Sequence, residues 1–316
     1  MRPTGWARAL LVVIVLPVSL VIFALTAILS FAPGRHRPSI PAALADIVEI
    51  HSAHGTSYVP ALQGRRPLFI LALGSDARPG EDIEHQRSDS IHIIGINLQR
   101  HRATILGIPR DSWVNVPGFG MQKITSAMSL GGPDLTVKTI ESLTGIRVDF
   151  WLLTSFQGIV SMVNGIGGLS VQVTQPMHDS YSGSNFDPGV HHFDGSQALS
   201  FARDRHTFAD GDLTRSQNQG VLLVSALSKL HTAFSEDPAA LFRWIALGWR
   251  NFRTDLGVRT LLDLALTATS IPSSSVSNLV VPATTGVVGA ASVVFISPQA
   301  HVLYAQMRAT GVIAKG

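Results

Sequence analysis

The chain has 316 residues, 46% of them hydrophobic and only 14% charged, enough for one large domain or two modest ones. It contains no cysteine, which excludes disulfides, thiolate catalysis and cysteine metal sites together. Of the 24 Lys and Arg, Arg2, Arg8, Arg35 and Arg37 fall in the first 37 residues, where there is no acid; the remaining 20 face 21 Asp and Glu, a balance too neutral for the broad basic face of a nucleic-acid binder.

The N-terminus reads MRPTGWARALLVVIVLPVSLVIFALTAILSFAPGRHRP, and residues 9–34 hold no charged side chain. As a helix this run extends roughly 39 Å, more than the ~30 Å hydrocarbon core needs. It is also longer than the apolar region of a cleaved signal peptide. The pattern predicts a cytoplasmic tail at 1–8, a transmembrane anchor at 9–32, a proline-rich stem at 33–66 and an extracellular domain at 67–316. The flanking arginines are nearly balanced, so this cell-membrane, single-pass, N-inside orientation rests on the short tail.

PLFILALGSD is a continuous apolar run bounded by Pro67 and Gly74, the pattern of a strand buried on both faces. SDSIHIIGINLQ and RATILGIPRD follow as a hairpin. DLTVKTIESLTG has helical spacing and stops at Gly145; TSFQGIVSMVNGIGG is a second helix capped by Thr154 or Ser155. LSVQVTQP alternates like a strand, His191 and His192 read as a loop feature, and SQNQGVLLVSALSKL is an amphipathic helix. PAALFRWIALGWRNF and VRTLLDLALTAT are further helices, SNLVVPA and ASVVFIS further strands. The alternation predicts an α/β fold, a mixed central sheet with helices on both faces.

The charged residues gather at strand ends. Asp76 and Arg78 follow the first strand, Arg87 and Asp89 open the second, and Arg110 and Asp111 close the third. Ligands of α/β sheets bind in that crevice. Read as a strand, LSFARDR puts Arg203 and Arg205 on one face and Asp204 on the other. Read as a helix start, DLTRSQNQG puts Asp212 at the cap, with Arg215 and Gln219 on one side. Guanidinium forks and a helix N-terminus suit a pyrophosphate. Aspartates beside it call for a divalent cation, and Asp76 and Asp89 suit Mg²⁺. On spacing alone, solvated surface ion pairs account for the same cluster.

In their order these segments resemble the LytR-CpsA-Psr (LCP) family of membrane-anchored phosphotransferases. The matching pieces are LGSDAR at 73–78, RSDSI at 87–91, IPRDSWV at 108–114, KITSAMSLGG at 123–132, VNGIGGLSVQV at 163–173, FDGSQALSFARDR at 193–205 and DGDLTRSQNQ at 210–219. They cover a motif-bearing core of about 68–232. The resemblance implies transfer of a glycopolymer from an undecaprenyl-pyrophosphate carrier to a peptidoglycan muramic acid hydroxyl outside the membrane, with release of polyprenyl phosphate. It implies that Asp76 and Asp89 coordinate Mg²⁺, that Arg87, Arg110, Arg203, Arg205, Arg215 and Gln219 hold the pyrophosphate, and that Lys123 lies near the head group. Two positions depart from the pattern, Thr125 for a usual asparagine and Asn218 for a frequent arginine.

Such a reaction relies on positioning and charge neutralisation, with Arg110 among the groups facing the leaving phosphate and Asp89 or Asp111 as general base. The lipid needs an apolar cavity; the helices at 154–168 and 217–230 are its expected walls, although an ordinary core suits the same residues. The rivals are a polyprenyl-pyrophosphate phosphohydrolase, a membrane-bound transcription attenuator and a non-catalytic wall-binding module.

Overall fold

The computed structural model describes residues 59–314. The tail, the anchor and most of the stem expected over residues 1–58 lie outside the described residues. Among those described, no helix is long and apolar enough to cross a membrane.

The described chain opens with α1 (Val59–Leu62), followed by β1 (Leu68–Ser75), β2 (Ser88–Asn97) and β3 (Arg102–Gly107). A hairpin of β4 (Trp113–Val116) and β5 (Gly120–Lys123) leads into α2 (Ser126–Thr144). Next come β6 (Phe150–Ser155), α3 (Phe156–Gly165) and β7 (Leu169–Val173). The short strands β8 (Met177–Asp179) and β9 (Ser184–Phe186) pair with each other, and β10 (Gly189–Phe193) pairs with β7. Then follow α4 (Gly195–Arg203), α5 (Gly211–Glu236), α6 (Ala240–Asn251), β11 (Phe252–Thr254) and α7 (Val258–Thr269). The chain ends in β12 (Val276–Val280), β13 (Ala283–Val288), β14 (Ala291–Ile296) and α8 (Ala300–Thr310).

Six strands form the central sheet in the order β11-β6-β1-β2-β3-β12. It is mixed: β1 runs parallel to β6 and antiparallel to β2, and β3 runs antiparallel to β2 and parallel to β12. The apolar run of β1 is buried on both faces, as its sequence requires. Phe69, Leu71 and Leu73 enter one core with Ile93, with Met128 and Ile140 of α2 and with Tyr304 of α8. Leu68 and Ile70 enter the other with Ile105, Phe150 and Leu264 of α7. This period-two division puts helices on both faces. A third core lies under α3 and α4, built from Val163, Val171, Phe193 and Phe201. Ala61 of α1 is buried in the second core, and Arg66 donates to Asp149 at 3.0 Å, so the end of the stem segment packs on the domain.

Local signals explain most boundaries. The α2 helix stops at Gly145, whose φ of 66° needs no Cβ and whose N–H bonds the Glu141 carbonyl. The cap of α3 is Ser155, which accepts from the Gly158 amide at 3.1 Å. Three readings need correction. LSFARDR is helical, not extended: Asp194 and Gln197 form a reciprocal capping box, and Ala198, Phe201 and Ala202 recur at helical spacing into the third core. Arg203 therefore ends a helix and Arg205 lies in the loop beyond it, so no pleat aligns them. The N-cap of α5 is Asp210, and Asp212 sits in the first turn. His191 and His192 lie on β10 rather than in a loop, their Nε2 atoms bonded to the Asp187 and Gly167 carbonyls.

Candidate active site

The ends of β2, β3 and β5 and the first turns of α5 bring opposite charges together. Arg110, just past β3, donates to Asp89 on β2; the two are 18% and 16% exposed. Lys123 at the end of β5 stands 3.1 Å from Asp111, and Arg215 stands 2.9 Å from Asp212 across one helical turn. The pairs interlock. Burial pushes the Asp212 carboxyl up; Arg215 opposes that, and the neighbouring Asp111 reinforces it. Burial pushes the Arg215 guanidinium down, and the nearby Arg110 cation pushes it further. Burial pushes the Arg110 guanidinium down, but Asp89, Asp111 and Asp212 together push it up. Its buried Nε has no hydrogen-bond partner, a donor left over for a ligand.

Arg110, Arg203, Arg205, Arg215, Asp89 and Gln219 all line one cavity of about 710 Å³. Most of the remaining lining is apolar: Phe156 and Met162 from α3, Leu222 and Ala226 from α5, Trp244 and Leu247 from α6. The two helices expected as walls are both there; α6 was not foreseen as a third. Arg203, the last residue of α4, holds its guanidinium carbon 5.0 Å above the centre of the Phe156 ring. Gln219 spends its amide N–H groups on the Asp89 and Ala202 carbonyls, at 3.2 and 3.3 Å. It thereby ties β2 to the end of α4.

Arg87 is different. It is exposed beside Asp76, whose N–H bonds its carbonyl at 3.0 Å, and like Asp76, Asp111 and Lys123 it does not line the cavity. Sequence reasoning missed the support beneath Arg205. Asp204 is fully buried and accepts from the hydroxyls of Ser184 at 2.6 Å and Thr207 at 2.8 Å. The buried Asp179 stands 3.0 Å from His206 Nδ1. These contacts join β8–β9 to the arginine loop, and no local motif announces them.

Asp76 and Asp89 are the donor pair within reach of a divalent cation at this strand end. Burial raises the Asp76 pKa above the ordinary carboxylate value, and the adjacent Asp89 charge raises it further. A cation beside Asp76 would offset both its burial and the neighbouring Asp89 charge. Among the described residues no group of three or more His, Cys, Asp or Glu gathers as a metal site. A pair of carboxylates with the remaining positions left to water and phosphate oxygens is the habit of Mg²⁺, so the residues fit.

The LytR_cpsA_psr family model matches residues 43–309. The chain belongs to the LytR-CpsA-Psr family. The probable cell wall biosynthesis protein LcpB of Corynebacterium glutamicum is 38% identical over 50% of this chain and 41% of its own length. The polyisoprenyl-teichoic acid–peptidoglycan teichoic acid transferase TagT of Bacillus subtilis is 37% identical over 52% of this chain and 53% of its own length. The chain thus spans about half the length of these curated relatives. Among solved structures, TagT bound to LI-WTA superposes with a TM-score of 0.65 at 27% identity, covering 79% of this chain and 92% of that one. TagT with bound octaprenyl pyrophosphate lipid gives 0.60 at 24% identity, covering 79% and 92%, and shares the fold. The mixed sheet with helices on both faces is therefore the LytR-CpsA-Psr fold.

Proposed function

We propose that the protein transfers a glycopolymer from a polyprenyl-pyrophosphate carrier to a hydroxyl of peptidoglycan and releases polyprenyl phosphate. One observation carries this reading: a single cavity is lined both by a large apolar surface and by four arginines, Arg110, Arg203, Arg205 and Arg215. That combination suits a lipid tail joined to a pyrophosphate, because neither an apolar pocket nor a cationic cleft alone accommodates both ends. The relatives that transfer teichoic acid to peptidoglycan support the same class of donor and acceptor.

The acceptor oxygen would form a bond to the sugar-linked phosphorus while the anhydride bond to the lipid phosphate breaks, its electron pair leaving with polyprenyl phosphate. The arginines would bind the two phosphates, hold them in line and stabilise charge on the leaving oxygen. Asp76 and Asp89 would hold Mg²⁺, which supplies further charge neutralisation when bound. The hydroxyl proton would pass to Asp89 or Asp111, each of which stands against a cation, Arg110 and Lys123 respectively. The domain would work on the outer side of the cell membrane.

The test is the product. Protein incubated with lipid-linked glycopolymer and peptidoglycan should yield a covalent conjugate and polyprenyl phosphate. Free glycopolymer phosphate without conjugate would replace this reading with the phosphohydrolase.

A further inference from the structure

The α6 helix has two working faces. Its sequence, ALFRWIALGWRN, puts Trp244, Leu247 and Gly248 on the side that walls the cavity. Phe242, Ala246 and Trp249, spaced at four and three residues, share the opposite side. That side is open: Phe242 is 43% and Trp249 47% exposed. Arg243 and Arg250 flank it, both exposed, and Arg253 follows in β11. Leu266 of the neighbouring α7 is also exposed, at 42%. An aromatic and aliphatic strip bordered by arginines is the composition of a helix lying in a bilayer interface.

Two further observations select a bilayer over another protein. First, the described chain begins in α1, which packs on α7, the helix beside α6. That start lies only 24 residues along the chain, 35–58, from the charge-free run at 9–34. Second, the helix that exposes the strip also lines the cavity with its other face.

We infer that the outer face of α6, with Leu266 of α7, rests on the membrane surface, Phe242 and Trp249 at headgroup depth and Arg250 and Arg253 among anionic lipid headgroups. A polyprenyl tail would then pass from the bilayer around α6 into the cavity without crossing water. The passage of the tail rests on the transferase reading; the membrane contact of the exposed strip does not.

The absence of cysteine makes the test direct, because an introduced cysteine is the sole thiol. The full chain carrying Ala246→Cys, labelled with an environment-sensitive fluorophore, is reconstituted into vesicles containing anionic lipid and spin-labelled phospholipid. Val302→Cys on α8, which is 59% exposed and lies across the sheet, serves as the control. The label at 246 should be quenched at least about twofold more than the label at 302, as for a residue at the interface. Adding Trp249→Glu and Phe242→Glu to the 246 probe should remove the difference, with the melting temperature confirming that the exposed substitutions leave the fold intact. Equal quenching at 246 and 302 overturns the inference. So does a label at 246 that is shielded in lipid-free detergent only at high protein concentration, since a second copy then covers the face. Quenching at 246 in a protein that forms no conjugate leaves the surface standing and rejects the transferase reading alone.

Discussion

Replacing Arg203 with glutamine separates binding from stability. Arg203 is exposed at the end of α4, lines the cavity and has no ion-pair partner among the described residues. Its contributions to the fold are small: a cation in the last turn of a helix stabilises by about 0.3–1 kcal/mol, and its position over Phe156 adds about 0.5 kcal/mol. The variant should therefore melt within a few degrees of the parent. A guanidinium bonded to a phosphate is another matter. Removing a charged hydrogen-bond partner costs about 1.5–3 kcal/mol, or roughly 10- to 150-fold in affinity. Arg203→Lys keeps the charge but loses the fork and should fall between the two. The assay is binding of a polyprenyl pyrophosphate to the full chain, with thermal melting alongside. Unchanged affinity in both variants would refute the clamp and leave the arginine a solvated one.

Asp76→Ala should abolish most transfer with little loss of stability, EDTA should mimic it, and full activity in both would reject the cation site. Asp89→Ala should also lower the melting temperature, because the largely buried Arg110 loses its carboxylate. His92 is fully buried, with Nε2 bonded to the Ser216 carbonyl and Nδ1 to the Ser90 hydroxyl, and burial depresses its pKa to about 4. Since the unfolded chain binds this proton first, stability should be complete above about pH 6.5 and fall by up to about 3 kcal/mol as the pH drops to 4. Urea midpoints across that range check it; a slope unchanged in His92→Gln would assign the loss elsewhere. Protease added to intact spheroplasts should digest the domain, and digestion only after lysis would place it inside.

The sequence made the sheet legible where burial alone dictates conformation. The run of β1 has one stable environment, and the β2–β3 hairpin follows from two apolar runs separated by a short polar turn. It misled at LSFARDR, where alternating Leu199, Phe201 and Arg203 imitate a strand. The decisive signal was local and available, the Asp194–Gln197 box three residues apart, just upstream of LSFARDR in the same segment. The candidate site was legible as a set of residues and illegible as pairs. Asp89 meeting Arg110, and Asp111 meeting both Lys123 and Asp212, depend on which strand ends become neighbours, and spacing along the chain carries no trace of that. The outer face of α6 was hidden for a similar reason. Apolar residues surround that helix, and only the packing reveals which of them face the cavity and which face outward.

The buried carboxylate of Asp204 bears on how fast a donor can be taken up. Anchored by Ser184 and Thr207, it fixes the backbone between Arg203 and Arg205 before any ligand arrives. The conformational entropy of that loop is lost on folding rather than on binding. Association should then follow a single diffusive step, linear in donor concentration and accelerated at low ionic strength, whereas Asp204→Ala should introduce a ceiling set by the loop's own ordering.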